Sequence, residues 1–309
     1  MHQSRRKFIN KSSKTLLSLS LLPSLQGWSK AINKNIKLGL QLYSIRNTMF
    51  NETLSSLKKV REIGYENVEH AGYINGKMYN MSVKEFKNVL DDLGLKMMSG
   101  HTSLTKEHIN SKDKSFTKVW LQTIEDAAYL GQEFVISPWI DDYYRKDYNK
   151  FLELMEMFNK CGELCSQYNM KFGYHNHHFE FTEKFNDKLI YDIIFDKTDP
   201  KFVIQQFDIG NPYGVIGKPN SVIEKHPSRI ISMHVKDEIK SLSNLPNEEP
   251  YISTILGQGL VDPKSVCLDG LKIGGTIHFI VEQESYQGKD PFDCIKEDWQ
   301  QLSNYGLTN

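Results

Sequence analysis

The stretch Lys171-Phe-Gly-Tyr-His-Asn-His177 shows the organisation that repeats along the chain. It begins as a short aromatic run, which is typical of a buried strand, and it ends in imidazole and amide side chains. The preceding segment, Tyr148 to Tyr168, has apolar residues every three or four positions and predicts an amphipathic helix. A second strand-like run, Phe202 to Asp208, follows. This alternation predicts βαβ units and a parallel sheet.

Eight segments have this strand-like character. They are Lys37 to Tyr43, Asn67 to Glu69, Lys96 to His101, Phe134 to Ser137, Lys171 to His177, Phe202 to Asp208, Ile230 to Val235 and Ile277 to Glu282. Helical periodicity recurs between them, at Leu54 to Ile63, Ser82 to Leu93, Lys114 to Leu130 and Tyr148 to Tyr168. Left-handed C-caps are expected after the first three helices, at Gly64, Gly94 and Gly131. Eight such repeats predict an α/β fold, a single closed (β/α)8 TIM barrel.

An open, doubly wound sheet is the competing architecture. It usually carries a glycine-rich phosphate loop after its first strand, whereas this chain has Leu42-Tyr-Ser-Ile-Arg46 there. No linker or shift in composition divides the chain, so one domain is expected over residues 32–309. Within it, Glu238 to Val261 is predicted to form an elaborated loop over the active face.

The charge balance and the cysteines exclude some functions. Lys and Arg together number 38, as do Asp and Glu, so the basic excess typical of nucleic-acid-binding proteins is missing. No nucleic-acid partner is therefore expected. The cysteines have no partner arrangement typical of a nucleophile, and free core thiols are favoured over a disulfide for Cys161, Cys165, Cys267 and Cys294.

Chemically active residues gather at the ends of the predicted strands. They are Glu69-His70, His101, His175-Asn-His-His178, Asp208-Ile-Gly-Asn211, His234-Val-Lys-Asp237 and Glu282-Gln-Glu284. Taken alone, a histidine at a strand end is more often structural, Asp208 could be a helix N-cap, and Glu282 could be a solvated charge. In a barrel, however, the carboxyl ends of the strands meet at one mouth. Asp, His and Glu from several strands would then suit one divalent ion, namely manganese, cobalt, zinc or magnesium.

The N-terminal sequence Ser4-Arg-Arg-Lys-Phe-Ile9, followed by the apolar run Leu16 to Leu25, resembles the twin-arginine export signal of bacteria. The resemblance implies an export signal over residues 1–31, a mature protein that begins near Ala31, and a periplasmic location. The run is too short to span a bilayer, and no later segment suggests a membrane span in the mature protein. A basic N-terminal arm is the alternative reading. Export argues against a phosphorylated substrate, and cleavage of the signal stays open.

An ordered series of motifs resembles the xylose isomerase-like TIM barrel superfamily, which includes sugar phosphate isomerases/epimerases, inosose dehydratases and the apurinic endonucleases. The motifs are Gly-Leu-Gln-Leu-Tyr-Ser (39–44), Gly-Tyr-Glu-Asn-Val-Glu (64–69), Ser-Gly-His (99–101), Gly-Tyr-His-Asn-His (173–177), Phe-Asp-Ile-Gly-Asn (207–211), Met-His-Val-Lys-Asp (233–237), Leu-Gly-Gln-Gly (256–259) and Val-Glu-Gln-Glu (281–284). The zero net charge argues against the endonuclease branch.

The resemblance implies one divalent metal ion held by groups from strands five to eight. Asp208, His234 and Glu282 match the family ligands of strands six, seven and eight. At strand five, this chain has His175 where sugar epimerases usually have a glutamate. Either His175 or Glu180 is then the fourth ligand, and the two-glutamate epimerase mechanism is in doubt.

The remaining assignments also follow from the resemblance and from position. Glu282 or His177 is expected to act as the base, and Lys236 is expected to donate a proton or hydrogen bond. Glu69 and His101 are expected to lie opposite the metal group. These two residues and Asn176 are predicted to bind substrate. Trp139 and Tyr43 could each stack on a sugar ring.

Three functions remain open from the sequence. The leading one is a metal-dependent isomerase or epimerase that removes a proton next to the carbonyl of a non-phosphorylated sugar or keto-sugar. Tyr174-His-Asn-His177 followed by Phe179-Glu-Phe181 resembles a subgroup of which some relatives act on 3-keto-glycosides, so a 1,2-lyase or hydratase is the second. A non-catalytic carbohydrate-binding barrel is the third. The expected partner is a small-molecule carbohydrate, and a homo-oligomer is left open.

Overall fold

Eight parallel strands form a closed barrel. The computed structural model describes residues 36–243 and 250–307, so the predicted export signal lies outside the described residues. The barrel strands are β1 (Lys37–Gln41), β2 (Asn67–His70), β3 (Lys96–His101), β4 (Phe134–Ser137), β5 (Lys171–His175), β6 (Val203–Asp208), β7 (Ile230–Val235) and β8 (His278–Val281). Each strand pairs with the next along the chain, and β8 pairs back to β1. The predicted α/β barrel is confirmed.

At least one helix follows each strand. The main ones are α1 (Thr53–Ile63), α2 (Val83–Leu93), α3 (Lys118–Leu130), α4 (Tyr148–Ser166), α5 (Ile190–Lys197), α6 (Asn220–Lys225), α7 (Pro263–Asp269) and α8 (Pro291–Asn304). The sequence explains their ends. Ser82 caps α2 in a capping box with Glu85, and Gly94 ends that helix in the left-handed region at φ 66°.

Some predicted boundaries were wrong by a few residues. Helix α3 begins at Lys118 and not at Lys114, because Lys114 has a positive φ of 55° and Thr117 takes the N-cap position. Strand β5 ends at His175 and not at His177, where the chain leaves the sheet for a short 3-10 turn over Phe179–Phe181.

The strand register sets which polar side chains share a layer inside the barrel. Glu69 on β2 is level with Gln41 on β1 and with Ser99 on β3. On the far side, Asp208 on β6 is level with His234 on β7. Because side chains alternate along a strand, these inward positions alternate with residues that face the helices, such as Phe207 and Met233.

The core between strands and helices is apolar. Trp120, Phe158 and Phe172 are fully buried there. All four cysteines are buried and unpaired, as expected, and Cys161 Sγ accepts a hydrogen bond from Trp120 Nε1 at 3.3 Å. Within the described residues, no helix is long and apolar enough to cross a bilayer.

The segment after β7 contains an antiparallel hairpin of Asp237–Lys240 and Tyr251–Thr254. Asp237 anchors the chain beyond it, because its Oδ2 accepts the backbone N–H groups of Gly257 and Gly259 at 2.8 and 2.9 Å. The hairpin also supports the end of β8: Ser253 Oγ accepts the backbone N–H of Glu284 at 2.8 Å. The predicted elaborated loop therefore contains an antiparallel hairpin that hydrogen bonds anchor beside the mouth of the barrel.

Candidate metal centre and substrate cavity

Four side chains meet inside the barrel where β5 to β8 end. His175 ends β5, Asp208 ends β6, His234 lies on β7, and Glu282 directly follows β8. One candidate ligand atom from each lies within 4.8 Å of those of the other three, and all four residues are buried. We call them the ligand cluster. The fold therefore brings the four predicted metal ligands together.

Gln206, two residues before Asp208 on β6, fixes the orientation of two imidazoles. Its Nε2 donates to Glu69 Oε2 at 2.7 Å, so its Oε1 can only accept. That oxygen lies 3.1 Å from His175 Nδ1 and 2.8 Å from His101 Nε2, so both nitrogens must carry a hydrogen. In neutral His175 the lone pair is then on Nε2, which is left to accept a cation.

Glu69 holds His234 from the other side of the barrel interior. Its Oε1 accepts from His234 Nε2 at 2.6 Å and from Gln41 Nε2 at 2.8 Å, and its Oε2 accepts from Ser99 Oγ at 2.5 Å. Burial by itself raises the pKa of Glu69, but the charges and hydrogen bonds of His101 and His234 hold that pKa well below its usual value. Glu69 is therefore an ionised, fully bonded carboxylate that keeps His234 Nδ1 facing the cluster.

Asp208 presents one free oxygen to the cluster. Its Oδ1 accepts the backbone N–H groups of Gly210 and Asn211 at 2.8 and 2.7 Å. Its Oδ2 is buried and accepts no hydrogen bond from a described residue. Asn176 clamps the backbone of Asp208, since it accepts that residue's N–H at 3.0 Å and donates to its C=O at 3.2 Å.

Lys236 is buried beside the same oxygens. Its Nζ donates hydrogen bonds to Glu284 Oε2 at 2.7 Å and Asn211 Oδ1 at 3.1 Å. It also lies 3.2 Å from Asp208 Oδ2 and 3.0 Å from Glu282 Oε2, at angles that give ion pairs without hydrogen bonds. Burial by itself lowers the pKa of Lys236, but Asp208, Glu282 and Glu284 hold it well above its usual value. Lys236 is therefore a charged ammonium.

The charges and donor atoms of the cluster fit a divalent cation. Burial opposes protonation of His234, yet Glu282 and Glu69 raise its pKa to about 10. Two cationic side chains, Lys236 and His234, thus face three buried carboxylates, Glu69, Asp208 and Glu282. Buried negative charge needs a compensating cation, and mixed imidazole and carboxylate donors suit manganese, cobalt or zinc. Asp208 also offers its unbonded oxygen.

His101 offers a second, all-imidazole arrangement. Three ring nitrogens, one from each of His101, His175 and His234, also lie within 4.8 Å of one another. The Nε2 hydrogen of His101, however, is shared between Gln206 Oε1 at 2.8 Å and Glu69 Oε1 at 3.1 Å. This triad leaves out both Asp208 and Glu282, so the ligand cluster is the better metal site.

The ligand cluster opens into a cavity of about 570 Å³. His101, His175 and Glu282 line it on the side of the cluster, and Tyr43 and Glu284 line it near the seam between β1 and β8. The segments that follow β2 and β3 line its far side. The cavity therefore lies at the carboxyl ends of the strands, where TIM-barrel enzymes carry their active sites.

His177 and Trp139 form part of the wall and its support. His177 lines the cavity, and burial lowers its pKa to about 3, so the imidazole is neutral. Trp139 makes an edge contact with His177, with ring centroids 5.0 Å apart and planes at 81°. Trp139 is not among the described residues that line the cavity, and its edge contact supports His177. Sugar stacking by Trp139 stays a prediction.

Three sequence-based expectations need correction. Glu69 is not free to bind substrate, because its oxygens accept hydrogen bonds from His234 Nε2 and Ser99 Oγ and leave no place for a sugar hydroxyl. Asn176 does not line the cavity, because its amide bonds the backbone of Asp208. Glu180 is not the fourth ligand, because it bonds Tyr174 and the backbone of His177.

The sequence reasoning missed Gln206 and underestimated Glu284. Gln206 and Asp208 are two residues apart on one strand and so face the same side, a signal available from strand periodicity. Glu284, which the sequence analysis named among the strand-end groups without a role, lines the cavity and accepts a hydrogen bond from Lys236.

Comparisons with known proteins bear on the fold and on the family. An inosose dehydratase of Bacillus licheniformis is 29% identical over 140 residues, which cover 42% of this chain and 46% of that protein, so the match spans less than half of the relative. A sugar phosphate isomerase/epimerase structure from Parabacteroides distasonis is 24% identical, with a TM-score of 0.71 and coverage of 89% of this chain and 100% of that one.

A probable 3-DHS dehydratase structure from Bacillus anthracis is 18% identical, with a TM-score of 0.65 and coverage of 87% of this chain and 99% of that one. These structural similarities show the same barrel fold. The family model described as xylose isomerase-like TIM barrel matches residues 57–302. The chain belongs to the xylose isomerase-like TIM barrel family.

Proposed function

We propose that the protein is a divalent-metal-dependent enzyme that removes a proton next to the carbonyl group of a non-phosphorylated sugar or keto-sugar. The observation that carries this proposal is the oriented ligand cluster at the cavity. Hydrogen bonds hold Asp208 Oδ1 and His175 Nδ1, so that Asp208 Oδ2 and His175 Nε2 are left for a cation. A hydrogen bond to Glu69 holds His234 Nε2, and His234 Nδ1 lies 3.1 Å from Glu282 Oε2, where a cation would replace the proton between these two atoms.

The ion would be held by His175, Asp208, His234 and Glu282, and would supply Lewis-acid stabilisation of negative charge on a substrate oxygen. The chain's own groups supply the proton transfer. Burial by itself raises the pKa of Glu282, but Lys236 and His234 hold it well below its usual value, so Glu282 is ionised and can accept a proton.

Lys236 is the candidate proton donor, and because it does not line the cavity itself, it would act on the substrate through Glu282 and Glu284, which do. Its ammonium lies 3.0 Å from Glu282 Oε2, and Asn211 and Glu284 fix its direction. A base and an acid this close serve the same face of a substrate. This arrangement supports proton transfer between neighbouring atoms on one face better than epimerisation, which needs groups on opposite faces.

The lining of the cavity supports a substrate without phosphate. Among the described residues that line it, none is a lysine or an arginine, and Glu282 and Glu284 contribute carboxylates. The carboxylates would repel a phosphate group, and no lysine or arginine in the described lining could pair with it. The same conclusion agrees with the export signal that the sequence suggests.

A lyase or dehydratase reaction is the second candidate. The curated relatives are named dehydratases, enzymes that eliminate water, and elimination next to a carbonyl begins with the same proton abstraction. His175 in place of a second glutamate also favours a mechanism with one carboxylate base. Isomerisation and elimination therefore share the Glu282 step and differ in the fate of the group on the adjacent carbon.

Solvent exchange tests the proposal. The protein is loaded with manganese and incubated with a panel of neutral keto-sugars in deuterium oxide, and products are followed by mass spectrometry and NMR. An isomerase incorporates deuterium without loss of a group, whereas a lyase releases water or an aglycone. Glu282→Gln should slow exchange by about 100-fold or more, and Glu66→Gln, an exposed carboxylate, should not.

Bound metal is quantified for every variant in the same experiment, since Glu282 belongs to the ligand cluster. Full exchange by metal-loaded Glu282→Gln would show that another group is the base. Absence of exchange with every sugar, in a wild-type protein that holds metal, would contradict the enzymatic proposal and favour a carbohydrate-binding barrel.

A further inference from the structure

We infer that Lys236 occupies the second position of a two-cation centre, so that the protein holds one divalent ion and one ammonium where two divalent ions could bind. Four oxygen atoms around Lys236 Nζ define this second position, and they belong to Asp208, Asn211, Glu282 and Glu284. This inference rests on the proposed function only for the first ion, which the ligand cluster would hold.

The surroundings of the ammonium resemble those of a metal ion. Its nearest oxygens are Glu284 Oε2 at 2.7 Å, Glu282 Oε2 at 3.0 Å, Asn211 Oδ1 at 3.1 Å and Asp208 Oδ2 at 3.2 Å. An ammonium has three hydrogens, and of these four contacts only those with Glu284 and Asn211 have hydrogen-bond geometry. The other two contacts depend on charge and not on the direction of an N–H bond.

Two of these oxygens also belong to the ligand cluster. Asp208 Oδ2 is buried and accepts no hydrogen bond from a described residue. Glu282 Oε2 lies 3.1 Å from His234 Nδ1, which is a candidate ligand atom of the cluster. In two-metal sites the ions lie about 3.5–4 Å apart, close enough to share a carboxylate. A cation at each position would therefore share Asp208 and Glu282.

The chain makes room for the stem of Lys236 at this position. Gly210, two residues after Asp208, lies directly against that stem, because an added Cβ would be 2.8 Å from Lys236 Cδ and 2.9 Å from its Cγ. These distances are shorter than the contact distance of two carbon atoms, so any side chain at position 210 would force the stem to move. The ammonium is therefore a fixed part of the centre.

Without Lys236, the same four oxygens suit a hard divalent ion. Carboxylate and amide oxygens are the ligands that calcium, magnesium and manganese prefer. Asn211, Glu282 and Glu284 line the cavity, so an ion and its water ligands could reach the position. Loss of the ammonium would also leave buried carboxylates without their compensating charge, which favours binding of another cation.

The number of bound manganese ions tests this inference. The full chain and its Lys236→Ala variant are titrated with manganese, and free ions are counted by electron paramagnetic resonance. We expect one bound ion in the wild type and two in Lys236→Ala. The two ions should give the spin-coupled spectrum of a close pair, which an adventitious surface ion would not give. If Lys236→Ala is unfolded without metal, the number of ions that refold it, followed by circular dichroism, gives the same count.

Further variants separate the second position from the ligand cluster. Lys236→Met fills the position with an uncharged stem and should hold a single ion. Lys236→Ala combined with Glu284→Ala should lose the extra ion and keep the first, because Glu284 does not belong to the ligand cluster. Lys236→Ala combined with Glu66→Ala, which removes an exposed carboxylate, should keep both ions.

Equal numbers of bound ions in the wild type and in Lys236→Ala would overturn this inference. A second ion without spin coupling, or one that persists after Glu284→Ala, would overturn it as well. A wild type that holds no ion, beside a Lys236→Ala variant that gains one dependent on Glu284, would contradict the proposed function and support the second position.

Discussion

The Nζ atom of Lys236 lies 3.2 Å from Oδ2 of Asp208, yet its hydrogen bonds go to Glu284 and Asn211. The ammonium therefore sits beside a ligand oxygen without occupying it. A divalent ion in the ligand cluster would share Asp208 and Glu282 with this fixed positive charge. The site thus contains a fixed positive charge that would lower its affinity for a metal ion.

Removing that charge should tighten metal binding. In Lys236→Met, the nearly isosteric thioether chain keeps the packing and removes the repulsion, so we expect manganese affinity to rise by about tenfold or more. Calorimetric titration measures the change, and turnover should fall. Lys240→Met, which removes an exposed charge on the hairpin that follows Lys236, is the matched control. Weaker metal binding by Lys236→Met would show that the ammonium organises the ligands.

The partner of His234 should also tune the metal site. Glu69→Gln replaces the carboxylate that accepts the hydrogen of His234 Nε2, so the imidazole becomes a poorer ligand. We expect manganese affinity to fall by about 10–100-fold with the fold intact. Circular dichroism checks the fold, and Glu66→Gln, at the exposed residue directly before the same strand, is the control. Unchanged affinity would mean that His234 does not ligate.

A buried carboxylate away from the site should make stability depend on pH. Asp298 on α8 accepts the backbone N–H of Leu256 at 2.8 Å, and burial raises its pKa to about 8. The folded state therefore binds a proton that the unfolded chain releases near pH 4, so stability falls as pH rises from about 4 to about 8.

The amide variant Asp298→Asn cannot ionise and should lose this dependence. Relative to the wild type, its free energy of unfolding should rise with pH over that interval, by at most about 1.4 kcal/mol for each pH unit. Urea denaturation at pH 5, 6, 7 and 8 measures the difference. A constant difference across these values would mean that Asp298 is ionised in the folded protein.

A glycine in β3 permits the close packing of His70. An added Cβ at Gly100 would lie 1.8 Å from His70 Nε2, so Gly100→Ala should cost about 1–3 kcal/mol of stability. If the clash is the cause, His70→Ala in the same chain should recover part of the loss, which a double-mutant cycle detects. Additive effects of the two substitutions would exclude the clash.

The barrel was predictable because strand periodicity, helix periodicity and capping residues agree along the chain. The strand limits at Lys96, His101, Phe134 and Ser137 were predicted correctly, and Gly94 and Gly131 occupy the expected left-handed caps. The ligand positions were also predictable, since each stands at or near the end of an identified strand. The local sequence therefore contains both the limits of the strands and the positions of the candidate ligands.

The roles of the supporting residues were not predictable from strand position alone. Glu69 shares a mouth with the ligand cluster, but only the register of β1, β2 and β3 shows that Glu69 is saturated by hydrogen bonds. Likewise, Asn176 follows a strand as a binding residue would, yet its amide matches the backbone of β6. These assignments depend on distances between strands, which a single sequence does not contain.

The Glu69–His234 contact joins residues 165 positions apart, one near the start of the barrel and one near its end. A fragment ending at β4 would contain Glu69 without any member of the ligand cluster, and the complementary fragment would contain the cluster without its anchor. Neither half of the gene product could assemble the centre by itself. Metal uptake would consequently report on the reassembly of two halves that are produced separately. A circular permutant would retain metal uptake wherever its new termini still allow the contact between Glu69 and His234.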